Sequence, residues 1–133
     1  MSGFKHIEDA ISRYIIPRYH HICEIGIGQN FHTAQQIQNA GCNIFCTDII
    51  SFQNEPPVSY CIDSVFIPTH SLYAGIELIY AIRPHEEMIT ALVSLATSIN
   101  CDLIVYHLGF ERFVGAEIIQ GAEVPLFFYH KKK

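Results

Sequence analysis

The sequence predicts an α/β fold, a three-layer α/β/α sandwich around a mainly parallel sheet. Three observations carry that expectation. Short apolar runs recur at 22–25, 43–47, 58–62, 77–82 and 102–106. Segments with helical spacing separate several of these runs, and strands alternating with helices imply βαβ units. The runs also end on glycine, aspartate, arginine or histidine, so polar residues collect at one end of the sheet.

Taken in order, Phe4, Ile7, Ile11, Tyr14 and Ile15 fall at helical spacing ahead of Pro17 and predict an amphipathic helix over 4–16. Ile22-Cys23-Glu24-Ile25 reads as the first strand and runs directly into Gly26-Ile27-Gly28-Gln29-Asn30. A second helix is expected over 31–40, with Phe31, Ala34 and Ile37 on one face and Gly41 as its stop. Residues 43–47 form the second strand, which ends in Asp48. Asn54 and Pro56-Pro57 make 51–58 a loop. The third strand, 58–62, ends at Asp63, and a second loop carries Pro68 and Gly75. After the fourth strand, Arg83-Pro84 opens a helix whose inward residues are Met88, Ile89, Leu92, Val93, Ala96 and Ile99. Pro84 suits a first helical turn, where its missing N–H is not needed. The fifth strand follows, and 116–119 and 126–130 read as two short strands for which antiparallel pairing is open.

With 133 residues, half of them apolar and 16% charged, the chain is expected to pack as one domain, 1–133. A net charge of -5 argues against nonspecific nucleic-acid binding, and the terminal Lys131-Lys132-Lys133 reads as a solvated tail. No apolar stretch is long enough to span a membrane. Five irregularly spaced cysteines behind a start with no apolar leader fit a reduced, cytoplasmic setting, and no pair or histidine set has zinc-ligand spacing, so no metal is expected.

Ligands of open parallel sheets sit beyond the carboxyl ends of the strands. That rule gathers Gly26 to Asn30, Asp48, Asp63-Ser64, Ile82-Arg83 and His107 to Glu111. Gly26 and Gly28 let the backbone turn sharply and approach a ligand with no Cβ in the way. An acid about 20 positions on, at the next strand exit, can accept hydrogen bonds from a ribose diol, and Asp48 lies 20 residues after Gly28. This is a Rossmann-like nucleotide pocket. Phe31 stands where a dinucleotide fingerprint has its third glycine, which counts against NAD or FAD. Arg83 is a candidate for anion or substrate binding, and His107 for acid–base or substrate contact. Each candidate has a plainer alternative: a tight turn for the glycines, Asx-type turns for the aspartates, a surface ion pair for Arg83, a structural ring for His107.

Glu24-Ile25-Gly26-Ile27-Gly28 resembles the first motif of class I S-adenosylmethionine-dependent methyltransferases, with Asn30 where a third glycine often stands. Residues 22–30, Tyr73-x-Gly75-x-x-Leu78-Ile79-Tyr80-Ala81-Ile82-Arg83-Pro84 and 102–111 together resemble a family of short, uncharacterised archaeal proteins with a methyltransferase-like fold. Where that family has an acidic pair before Ile-Phe-x-Pro, this chain has Asp63-Ser64-Val65-Phe66-Ile67-Pro68, with one acid. The resemblance implies a cofactor pocket for S-adenosylmethionine. Glu24, Gly26, Gly28 and Asn30 would form its loop, with the two glycines near the methionine moiety. Asp48 would hold the ribose and Asp63 would face the adenine amine.

Residues after the fourth strand would meet a methyl acceptor, yet Ile82-Arg83-Pro84-His85 lacks the Asn/Asp-Pro-Pro-aromatic segment of amine methyltransferases. Two function classes therefore compete: a small S-adenosylmethionine-binding protein, with an unknown acceptor if it is a methyltransferase, and a non-catalytic binding or regulatory module. A nicotinamide-dependent oxidoreductase ranks last, because of Phe31 and the lack of a Tyr/Lys pair at helical spacing. A partner subunit could supply acceptor recognition. An exposed sheet edge after residue 116 predicts a homodimer.

Overall fold

The computed structural model describes residues 3–107 and 115–133. Among the described residues, three helices and seven strands follow one another as α1 (Gly3–Ile15), β1 (His21–Ile25), α2 (His32–Asn39), β2 (Asn43–Asp48), β3 (Ser59–Ile62), β4 (Leu78–Ile82), α3 (Glu86–Ile99), β5 (Asp102–Tyr106), β6 (Glu117–Ile118) and β7 (Leu126–His130). The strands form one sheet in the order β3-β2-β1-β4-β5-β7-β6. Strands β1 to β5 run parallel, while β7 is antiparallel to β5 and β6 to β7. The α/β class, the mainly parallel sheet and the antiparallel end thus match the sequence reading.

Alternation along each strand sorts the core into two layers. Ile22, Ile44, Leu78, Tyr80 and Ile104 point towards α1 and α2, where Ile11, Ile15, Ala34 and Ile37 are buried. Cys23, Ile25, Ile79, Leu103 and Val105 point the other way, onto α3 through Ile89, Leu92, Leu95 and Ala96. Helices therefore cover both faces, and their connections leave the carboxyl ends of the parallel strands exposed together.

The element ends show local chemistry at work. Helix α2 stops as expected at Gly41, whose φ of +96° suits a residue with no Cβ. The Gly41 N–H donates to Gln38 and the Cys42 N–H to Ile37, which satisfies the last carbonyls of the helix. The helix after β4 departs from expectation. It begins at Glu86, not at Arg83-Pro84, because Arg83 sits at φ +50° and His85 is an extended N-cap. A left-handed residue cannot start a right-handed helix. Pro84 consequently lies in the connection. On α3, Leu95 is fully buried while Val93 and Ile99 are half-buried. Strand β6 spans two residues, less than the expected 116–119. A 3-10 turn, His70–Tyr73, lies in the loop after β3.

Three cysteines (Cys23, Cys46, Cys101) are buried and all five are free, consistent with small apolar core residues. No helix among the described residues is long and apolar enough to cross a membrane. The side chain of Phe4 and residues 108–111, including Glu111, lie outside the described residues.

Candidate functional site

At the carboxyl end of the sheet, β1, β2, β3 and β4 open onto a cavity of about 490 Å³, a volume within the usual range of small-molecule sites. The glycine loop forms its floor. Gly26 and Gly28 have φ values of +76° and +60°, the left-handed conformations that the Gly-x-Gly spacing anticipated. A Cβ on Gly26 would come within 3.3 Å of the Met88 methyl, whereas one on Gly28 would meet nothing within 4 Å. The backbone at Gly28 is therefore open to the cavity it lines.

The loop is held to the next strand. Gly26 N–H donates to the Thr47 carbonyl at 2.9 Å. Gly28 N–H donates to Asp48 Oδ2 at 2.8 Å, and Ile49 N–H donates to Oδ1 at 2.6 Å. Asp48 is thus fixed in orientation by two backbone bonds, and each oxygen keeps a lone pair for another donor.

Asp63, whose N–H donates to the Asp48 carbonyl at 3.0 Å, organises the adjoining wall. Its carboxylate accepts Thr69 Oγ1–H at 2.9 Å, the Tyr73 hydroxyl at 2.7 Å and the Thr69 N–H at 3.2 Å. Burial, followed by the bond to Asp63, pushes the Tyr73 hydroxyl far above its ordinary value, so it stays a donor. Ile49, Ile50, Val65 and Phe66 also line the cavity. Ile49 and Phe66 are 72% and 57% exposed and give the mouth an apolar rim.

The remaining wall follows β4. Arg83, Pro84, His85, Glu87 and Met88 line it. Arg83 N–H donates to the Tyr106 carbonyl at 2.8 Å, and its guanidinium lies 5.3 Å from the Tyr106 ring centroid. A positive φ at a non-glycine residue beside a cavity marks a strained, structurally enforced position.

Of the residues singled out from sequence, Gly26, Gly28, Asp48, Asp63 and Arg83 come together on this cavity. Glu24, Asn30 and His107 are not among its lining residues. Alternation turns Glu24 away from the strand end into the α1–α2 layer, where it is 3% exposed and accepts the Tyr80 hydroxyl at 2.6 Å. Burial pushes its carboxyl up to about 8, with the Tyr80 bond pulling down and the charge of Glu8 pushing up. Asn30 caps locally, its side-chain oxygen accepting the His32 N–H at 3.2 Å. His107 is buried, stacked on Phe127 with centroids 4.3 Å apart, and its Nε2 lies 2.9 Å from the Tyr129 hydroxyl. Phe31 caps α2 and tilts against Phe52 at 5.5 Å. The rim residues Ile49 and Phe66, and His85 and Glu87, were missed as site residues. Ile49 directly follows a strand exit, whereas Phe66, His85 and Glu87 lie three to five residues beyond one and carry no local signal.

Solved structures share this architecture. Magnesium protoporphyrin IX methyltransferase from Synechocystis PCC 6803 with bound SAM is similar at a TM-score of 0.63 and 12% identity, over 95% of this chain and 78% of that one. A SAM dependent methyltransferase from Archaeoglobus fulgidus is similar at 0.57 and 13%, over 76% and 51%. At such identities the likeness establishes the fold. Sequence relatives lie nearer: a UPF0146 protein of Methanocaldococcus jannaschii is 32% identical over 120 residues, 84% of each chain. Another, of Archaeoglobus fulgidus, is 28% identical over 119 residues, 87% of this chain and 91% of that one. A family model matches residues 7–132, and the chain accordingly belongs to UPF0146, an uncharacterised protein family.

Proposed function

We propose that the cavity binds S-adenosylmethionine, and that methyl transfer to a separate acceptor is the reaction this binding serves. The observation that carries the proposal is the Gly28–Asp48 arrangement: an open glycine backbone bonded to a carboxylate, both lining the same cavity. The residues fit the cofactor. Gly28 lets a ligand reach the main chain, Asp48 offers acceptors to ribose hydroxyls, and Ile49 with Phe66 offers apolar contact to a purine. Asp63 has acceptor capacity for an exocyclic amine, although three donors already hold it in place.

When bound, S-adenosylmethionine supplies an activated methyl group. The chain's own contribution is positioning: the loop and Asp48 fix the nucleoside, and the β4 wall receives the acceptor with Arg83 as a substrate contact. His107 does not line the described cavity and has no direct part in this arrangement.

A second reading, a binding module without turnover, is favoured by one observation. The β4 exit offers Arg83, Pro84 and His85, with no amide or carboxylate followed by an aromatic ring to orient an amine. Calorimetric titration with S-adenosylmethionine and S-adenosylhomocysteine, with NAD as control, tests the proposal. Micromolar binding to the first two that Asp48→Ala abolishes supports it. Absence of binding to either removes it and leaves the module.

A further inference from the structure

Among the described residues, the ionisable groups that line the cavity are Asp48, Asp63, Arg83, His85 and Glu87. Both aspartates and the arginine are already engaged. Asp48 accepts two backbone N–H groups, Asp63 accepts the Thr69 and Tyr73 hydroxyls, and Arg83 lies beside the Tyr106 ring. His85 differs. It is exposed at the N-cap of α3, yet its ring makes no capping bond and no hydrogen bond or ion pair with any described residue.

Backbone geometry fixes where His85 stands. Strands β1 and β4 are neighbours, with Glu24 beside Tyr80, so the glycine loop and the β4 exit open side by side. The chain leaves β4 at Ile82, and His85 is extended, at φ -63° and ψ 148°. Its carbonyl accepts the Met88 N–H at 2.9 Å, and the Met88 methyl lies 3.3 Å from the place of a Cβ on Gly26. His85 thus belongs to a segment packed against the start of the glycine loop.

That position, with an unengaged imidazole, discriminates among methyl acceptors. A neutral amine already carries the lone pair that attacks a methyl group, and needs mainly polar acceptors to orient its N–H bonds. The Arg83-Pro84-His85 exit has no amide or carboxylate side chain for that. A hydroxyl becomes a strong nucleophile only as it loses its proton, so it depends on a base. A thiol, with an ordinary value of about 8.5, gains less from one than a phenol at about 10. Imidazole takes up and releases protons near neutral pH. Apolar residues complete the surroundings: Pro84 and Met88, with Val65 and Phe66 from the loop after β3, line the same cavity.

We propose, resting on the S-adenosylmethionine reading of the cavity, that the acceptor is an apolar molecule with a phenol-like hydroxyl and that His85 takes the hydroxyl proton. The acceptor oxygen bonds to the methyl carbon as the carbon–sulfur bond breaks. The electron pair of that bond stays on sulfur, which passes from cationic sulfonium to neutral thioether. The proton goes to the His85 ring and from there to water. Nothing is oxidised or reduced.

The probe is p-cresol, with benzylamine as the amine control. His85→Gln keeps a hydrogen-bond acceptor but takes up no proton, and at an exposed N-cap without a capping bond it should fold like the natural chain. If urea unfolding shows otherwise, His85→Asn replaces it. The first readout is binding alone: calorimetric titration of p-cresol into the chain saturated with S-adenosylhomocysteine. The natural chain and His85→Gln should bind p-cresol about equally, and His85→Ala about threefold to tenfold more weakly. The second readout is methyl transfer from S-adenosylmethionine to p-cresol. It should fall about 10²–10⁴-fold in His85→Gln while cofactor affinity is unchanged. Transfer that His85→Gln leaves intact overturns the proposal, as does transfer to benzylamine in preference to p-cresol. A cofactor-loaded chain that neither binds nor methylates p-cresol also overturns it. In each of those cases the cofactor reading survives, whereas a chain that binds neither S-adenosylmethionine nor S-adenosylhomocysteine overturns both.

Discussion

Asp48 accepts the backbone N–H of Gly28 across 20 residues of sequence, at 2.8 Å. The contact ties the first strand's loop to the second strand's exit and sets the orientation of the carboxylate that faces the cavity. It makes Asp48 both a structural brace and a candidate ligand. Asp48→Ala is expected to lose about 1.5–3 kcal/mol of stability by urea unfolding, the usual range for a bond to a charged acceptor. S-adenosylmethionine affinity should fall about tenfold or more by calorimetry. Asp48→Asn keeps one acceptor oxygen and should fall between the two. An alanine chain with unchanged affinity would show that Asp48 braces the loop and does nothing else.

Gly28 separates conformational strain from obstruction. Its φ of +60° disfavours a side chain, but an added Cβ would meet no atom within 4 Å. Gly28→Ala should therefore fold with a loss of about 1 kcal/mol while cofactor binding drops sharply, because the methyl group projects into ligand space. Equal binding by the natural chain and Gly28→Ala, measured by calorimetry, would argue that no ligand approaches this backbone.

Tyr73 tests the Asp63 wall. The ring is 1% exposed and its hydroxyl donates to Asp63 Oδ2 at 2.7 Å. Tyr73→Phe should cost about 1–3 kcal/mol and speed amide hydrogen exchange over 64–69, since Asp63 then holds the loop through Thr69 alone. Exchange rates that do not change would mean that Thr69 suffices.

Tyr80 offers a pH prediction with a definite sign. Its hydroxyl stabilises the Glu24 carboxylate and so lowers a value that burial raises. Tyr80→Phe should move the Glu24 midpoint above about 8. Protonation-linked stability, complete below the ordinary 4.5, would then be lost over a wider pH range before levelling. Carbon-13 carboxyl titration reads the midpoint directly, and a downward move would contradict the assignment of Tyr80 as the donor.

The strands, the glycine loop and the Gly28–Asp48 spacing were legible in sequence because they depend on local order: apolar period, turn chemistry and residue counts along one chain. The α2 stop at Gly41 was legible for the same reason, since a left-handed C′ position asks for glycine. The helix start at Arg83-Pro84 misled, because Arg83 is left-handed at φ +50° and its N–H is bonded to the Tyr106 carbonyl on the neighbouring strand, which no local preference of arginine signals.

What the sequence by itself determined was the fold class, the parallel sheet and the strand ends from which a site could be drawn. Which of those ends share a cavity was decided by tertiary structure. Glu24 sits within the glycine motif, yet strand alternation and the register that places it beside Tyr80 turn its carboxyl into the core. His107 leaves a strand end like Asp48, but the antiparallel return of β7 brings Phe127 and Tyr129 over it. Ile49 and Phe66, ordinary apolar residues in sequence, become the rim of the cavity because β2 and β3 end side by side. Side-chain direction and strand order are properties of the assembled sheet, and neither is written in any local stretch of the chain.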